Sequence, residues 1–180
     1  RAQGWDIDLL AHVRRGGHVM GICGGYQMLG QWIDDPDGIE GHAGRHPGLG
    51  LLQVATLMSA DKRLAEVTAT ERATGARVTA YEIHIGRTEG ADCARAWLSL
   101  DDPDGARSEG AMSADGRIMG CYLHGLFASD RFRNGYLARF GLSEGMSDFD
   151  GGVEATLEAL ADHIEAHLDL DTLYALSSEI

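Results

Sequence analysis

The sharpest chemical signal in the chain is Gly21-Ile22-Cys23-Gly24-Gly25, which lies between a short apolar run and a helical pattern. A strand that turns directly into a helix projects its central side chain from the sheet edge, and so close a turn requires small neighbours two positions to either side, here Gly21 and Gly25. Cysteine gains from such a place, because the free N–H groups of a helix N-terminus favour the thiolate, the form that attacks a carbonyl carbon. The next N–H, that of Gly24, faces the oxyanion that develops, and one such donor contributes roughly 3 kcal/mol in comparable enzymes. The competing reading is that Cys23 is a small buried residue in a glycine-rich turn. Cys93 and Cys121 lack this setting and read as inert core thiols.

A thiol nucleophile needs a base, which comes from a neighbouring strand end rather than from nearby sequence. His124 follows the apolar run Ile118 to Leu123 and precedes Gly125. In a parallel sheet it emerges at the same carboxyl edge as Cys23, where ligand sites of α/β proteins lie. His84, within Tyr81-Glu82-Ile83-His84-Ile85-Gly86, is the one rival. No pair among Cys23, His84, Cys121 and His124 has metal-ligand spacing, so no metal is expected.

The elements that must carry these residues are legible in outline. Trp5 to Arg15 reads as a helix ended by Gly16-Gly17, His18 to Ile22 as a buried strand, and Tyr26 to Ile33 as a helix. Gly41 to Gly50 reads as a loop, and Leu51 to Met58, Leu64 to Thr70 and Arg77 to Ile85 as strands. Residues 86–109 signal weakly, with a turn over Asp101 to Gly105. Asp130 to Phe140 reads as a helix. From Phe140 to Ile180 there are ten acidic residues and no Lys or Arg. Val153, Leu157, Leu160, Ile164 and Leu168 recur there at helical spacing, which predicts an acidic helix packed by its apolar stripe.

At 180 residues and 44% hydrophobic content the chain suits one ordinary domain. A formal net charge of −13 opposes phosphate backbones and anionic lipid, so neither nucleic acid nor a membrane is an expected partner. No apolar run reaches membrane-span length, the start lacks signal-peptide features, and three scattered cysteines suggest no disulfide framework. A cytoplasmic location is expected. The chain opens at Arg1 without an initiator Met and reads as a piece of something longer.

Four ordered motifs, Gly21-Ile-Cys-Gly-Gly-Tyr-Gln-Met-Leu-Gly30, Gly48-Leu-Gly-Leu-Leu52, Tyr81-Glu-Ile-His-Ile-Gly86 and Tyr122-Leu-His-Gly-Leu-Phe127, resemble the C-terminal glutaminase domain of the cobyric acid synthase family. The resemblance implies an α/β fold, the flavodoxin-like doubly wound and mostly parallel sheet of class I glutamine amidotransferases. It also implies that Cys23 attacks the glutamine side-chain amide, that His124 is its base, that Gly24 supplies an oxyanion N–H, and that Gln27 helps hold substrate. Ammonia would pass to a synthetase domain of the same protein, which amidates a corrinoid, cobyrinic acid a,c-diamide, using ATP and magnesium. The glutaminase domain itself needs no cofactor.

Two departures stand out. Leu126 occupies the position where most class I members carry a glutamate that orients the histidine, and Glu82 is the candidate carboxylate in its stead. Only 22 residues precede Cys23, so residues 1–180 are expected to form a partial domain without the upstream strands and without the synthetase domain. A glutamine site also needs a cation for the α-carboxylate, for which Arg63 and Arg87 are candidates. The alternatives are a glutaminase for another synthetase (cobyrinate a,c-diamide or cell-wall amidation) and a silent docking module.

Overall fold

The computed structural model describes residues 2–103, 105–142 and 148–177. Helix α1 (Trp5–Arg14) leads into strand β1 (Val19–Ile22), and Cys23 alone separates β1 from helix α2 (Gly24–Leu29). Strands β2 (Trp32–Asp35), β3 (Gly44–Pro47), β4 (Val54–Glu71), β5 (Arg77–Gly90), β6 (Leu98–Asp102) and β7 (Gly105–Glu109) follow. The chain then forms β8 (Ala111–Met112), β9 (Ile118–Cys121), β10 (Leu123–His124) and the helices α3 (Asp130–Ala138), α4 (Phe149–His167) and α5 (Leu170–Ser177).

A three-stranded sheet has the order β1-β9-β8, and a seven-stranded sheet runs β10-β5-β4-β2-β3 with β6 and β7 attached through β4. The α/β class holds. Its parallel share in this chain is small, however, confined to β1 with β9 and β2 with β4. The remaining pairs are antiparallel because the long β4–β5 hairpin and the β6–β7 hairpin dominate the larger sheet. On β5, Val78, Ala80 and Glu82 alternate with exposed Arg77, Thr79 and Tyr81. This period of two carries Glu82 inward with the core residues. One core cluster gathers Val78, Trp97, Leu98, Leu100, Leu123 and Phe132, and a second gathers Tyr26, Leu29, Leu52, Val54, Ile118 and Tyr122.

Several boundaries differ from the sequence reading. The helix expected over Tyr26 to Ile33 stops at Leu29, and Trp32 and Ile33 join a strand instead. Gly30 takes an extended conformation, and the Gln31 N–H donates to Val54 O, so pairing beside β4 captures the residues that follow. The loop expected from Gly41 to Gly50 contains β3, whose largely exposed side chains carry no apolar alternation. The two strands expected over residues 51–70 are one, with a register shift between Leu57 and Lys62 where polar residues interrupt the pattern. The acidic segment is helical over Phe149–His167 and Leu170–Ser177, but the apolar stripe is exposed rather than packed.

Candidate active site

Cys23 has φ 56° and ψ −120°, a backbone conformation that costs a non-glycine residue of order 1–3 kcal/mol. It is held there from both sides. The Cys23 N–H donates to Cys121 O at 2.9 Å, continuing the parallel β1–β9 ladder, and the Gln27 N–H donates to Cys23 O at 3.2 Å, opening α2. The thiol points across to β5 and donates to Ile83 O at 3.4 Å.

The two glycines of the turn prove unequal. A Cβ on Gly21 would lie 2.6 Å from Leu29 Cδ1 and 2.7 Å from both C and O of Gly25, whereas one on Gly25 would meet nothing within 4 Å. The closeness of strand to helix is therefore borne by Gly21 alone. Gly21→Ala is expected to lose about 1–3 kcal/mol through overpacking. Gly25→Ala is expected to be neutral or to gain up to about 1 kcal/mol, because alanine suits a helix better than glycine. Urea unfolding of both variants checks the opposite signs.

His124 reaches the same place by a change of sheet. β9 runs beside β1, Tyr122 turns the chain out of that sheet, and β10 pairs with β5, placing Leu123 opposite Glu82 and His124 opposite Tyr81. Cys23 and His124 thus converge on residues 81–83 of β5. Among the described residues, His124 Nε2 is buried and has no hydrogen-bond partner. The crossover is pinned by Glu109, which accepts from the Tyr122 N–H at 2.8 Å and whose carboxyl is pushed up chiefly by burial.

Glu82 stands on the other face of β5 from His124. It is 2% exposed. Its Oε2 takes Arg63 Nε at 3.0 Å and Arg107 Nη2 at 2.9 Å, and its Oε1 faces His84 Nε2 at 3.4 Å. Burial alone would raise this carboxyl, but bonds from His84, Arg107 and Arg63 outweigh it and hold the group at about 2. Both oxygens are thus engaged away from His124, and Glu82 does not orient that ring. His84, the rival base, stacks on Tyr122 with centroids 3.9 Å apart, and its Nδ1 contacts Gly86 O at 3.0 Å. Arg63 opens on a polar cavity of about 510 Å³ shared with Glu82, His84, Asp102 and Arg107, whose lining includes neither Cys23 nor His124. Arg87 pairs with Glu89 on the surface.

Gln27 is buried, and its Nε2 donates to Ile85 O at 3.2 Å and to the Tyr122 hydroxyl at 3.3 Å. Tyr122 also bonds Thr88, which bonds Thr56 at 2.6 Å. This buried polar chain fastens α2 to β4 and β5. Sequence reading missed Tyr122, Thr56, Thr88, Arg107 and Glu109. Tyr122 lies inside a quoted motif, whereas Arg107 and Glu109 lie in the stretch of weak signals. Cys121 is fully buried, and burial raises both its thiol and that of Cys93. An apolar cleft of about 830 Å³ opens behind the turn, lined by Trp5, Met20, Gly21, Gly25, Met28 and Leu49 among others, and again excludes Cys23 and His124.

No helix among the described residues is long and apolar enough to cross a membrane. Residues 1–132 match the model of the CobB/CobQ-like glutamine amidotransferase domain. Among curated relatives, proteins named cobyric acid synthase are 59% identical in Rhodobacter capsulatus and 58% in Bradyrhizobium diazoefficiens, each covering 98% of this chain. One from a Ruegeria species is 56% identical over the whole chain. The chain spans 36% of the length of each of these relatives. Among solved structures, PurLQS from Thermotoga maritima aligns with a TM-score of 0.54 at 17% identity, covering 75% of this chain and 68% of that one, a likeness of fold. With a family model matched over most of its length, the chain belongs to the CobB/CobQ-like glutamine amidotransferase domain family.

Proposed function

We propose that this chain is the glutaminase part of a cobyric acid synthase, hydrolysing glutamine through a Cys23–His124 pair. It would supply ammonia to a synthetase portion that amidates cobyrinic acid a,c-diamide in the cytoplasm. The observation that carries the reading is the strained Cys23, held at φ 56° on a strand-to-helix turn with His124 delivered to the same stretch of β5. The identity to relatives named cobyric acid synthase supports the choice of synthetase. ATP and magnesium are assigned to the synthetase portion. Among the described residues no group of three or more His, Cys, Asp or Glu could hold a metal ion.

In this mechanism the Cys23 proton passes to His124 and the thiolate attacks the glutamine side-chain carbonyl carbon, while the Gly24 N–H faces the oxyanion. Collapse of the tetrahedral species breaks the carbon–nitrogen bond, and His124 returns the proton so that ammonia leaves. A thioester remains. Water, giving a proton to His124, cleaves it to glutamate and restores the thiol. Gln27 helps hold the substrate, and its Nε2 bonds fasten α2 to β5. Arg63 remains a candidate for the substrate α-carboxylate through the guanidinium nitrogens that Glu82 does not engage.

The test is incubation of the polypeptide carrying this chain with an electrophilic glutamine analogue, followed by peptide mapping. A single adduct on Cys23 is expected, absent in Cys23→Ser. His124→Ala is expected to slow both labelling and glutamine hydrolysis by about 10²–10⁴-fold, the usual contribution of a positioned base. Equal reaction of Cys23, Cys93 and Cys121 would sink the assignment.

A further inference from the structure

Helix α4 is fastened at its N-terminal end. Asp130 accepts the N–H groups of Asp148 and Phe149, the latter at 3.2 Å, and the Arg133 guanidinium lies 5.6 Å from the centre of the Phe149 ring. Asp148 then caps the helix by accepting from the Gly151 N–H at 2.9 Å. Beyond that point Val153, Leu157, Leu160, Ile164 and Leu168 form a stripe whose members are 37–52% exposed. Neither α4 nor α5 contains a buried residue. An apolar stripe of this length is costly to leave in water and marks a surface that is covered in the working protein.

Two observations identify the cover. The family model ends at residue 132, before α4 begins, whereas the Ruegeria relative matches all 180 residues at 56% identity. The helix therefore accompanies the long synthases rather than the common portion of the domain, and this chain spans only 36% of their length. Charge argues against a second copy. Glu154, Glu158 and Glu165 lie along one flank of the stripe, so two such helices packed antiparallel would set that flank against its like-charged counterpart.

We infer that the apolar stripe of α4 docks on the portion of the same polypeptide that lies outside this chain, in an apolar groove with Lys or Arg side chains along the edge that meets Glu154, Glu158 and Glu165. The inference rests on the reading of this chain as part of a longer synthase. The single acidic flank supplies orientation, and the stripe supplies the buried contact.

A photo-crosslinking residue placed at Leu157, and separately at Leu160, in the full-length polypeptide tests it, with Asp162 on the opposite face as the reference position. Adducts from the first two positions to peptides of the same polypeptide outside this chain are expected. Their yield should exceed that at Asp162 at least tenfold and stay unchanged on tenfold dilution. Equal yields at all three positions overturn the inference, as do adducts between two copies that fade on dilution. Leu157→Glu combined with Leu160→Glu should leave the labelling of Cys23 by the glutamine analogue within twofold of the parent. Crosslinking does not depend on catalysis, so an unlabelled Cys23 would remove the proposed function and leave the docking result standing.

Discussion

Cys23→Gly is expected to abolish glutamine hydrolysis and to make the protein more stable. The activity should fall by a factor on the order of 10⁴ or more, as when a nucleophile of this kind is removed. Stability should rise because φ 56° with ψ −120° burdens any side chain, and relief of that strain returns about 1–3 kcal/mol. Glycine gives back about 0.5–1 kcal/mol through the greater freedom of the unfolded chain. The net gain, up to roughly 2.5 kcal/mol, corresponds to a Tm higher by a few degrees in a domain of this size. Cys23→Ala separates the two effects, since it keeps a Cβ in the strained position and loses only the thiol. It should be as inactive as the glycine variant and show no gain in Tm. A glycine variant that melts below the parent would mean that the turn is held by the cysteine side chain rather than strained by it.

The strained turn was readable from five residues because its logic is local. Small neighbours, an apolar strand before and a helical pattern after all lie within sixteen residues of sequence. His124 was readable for a similar reason, as the end of an apolar run, although nothing in that run shows that the chain changes sheets at Tyr122 to deliver it. What sequence could not show was long-range pairing. Glu82 reads as a strand residue near a histidine, yet its partners Arg63 and Arg107 come from β4 and from the β6–β7 hairpin, 19 and 25 residues away. Gln27, expected at the substrate, is 58 residues in sequence from the carbonyl it binds. The exposed stripe of α4 has a further cause. Helical spacing of apolar residues shows that a face wants covering, and only the position of the helix shows that the cover lies elsewhere.

Glu82→Gln should destabilise the fold and loosen the site together. The amide keeps the shape of the carboxyl but leaves Arg63 and Arg107 facing a neutral group. Breaking a fully buried ion pair costs about 3–5 kcal/mol, and because these arginines are half-exposed and can turn to water the loss here should be nearer 2–3 kcal/mol. The sign of its pH dependence follows from the depressed carboxyl. Glu82 sits at about 2 in the folded protein against an ordinary 4.5. Its contribution is therefore complete above about pH 4.5 and drains away as pH falls toward 2. The stability gap between parent and variant, followed by denaturant unfolding, should be widest near neutrality and close through that window. Acidic groups common to both proteins cancel in the comparison. A gap that stays constant with pH would mean that the charge of Glu82 contributes nothing. The site should register the change as well, since Glu82 adjoins Ile83, whose carbonyl receives the Cys23 thiol, and lies opposite Leu123, the residue before His124. Labelling of Cys23 by a glutamine analogue should slow at neutral pH, although Glu82 touches neither Cys23 nor His124. In this protein the buried ionic cluster on one face of β5 fixes the strand against which Cys23 and His124 are placed.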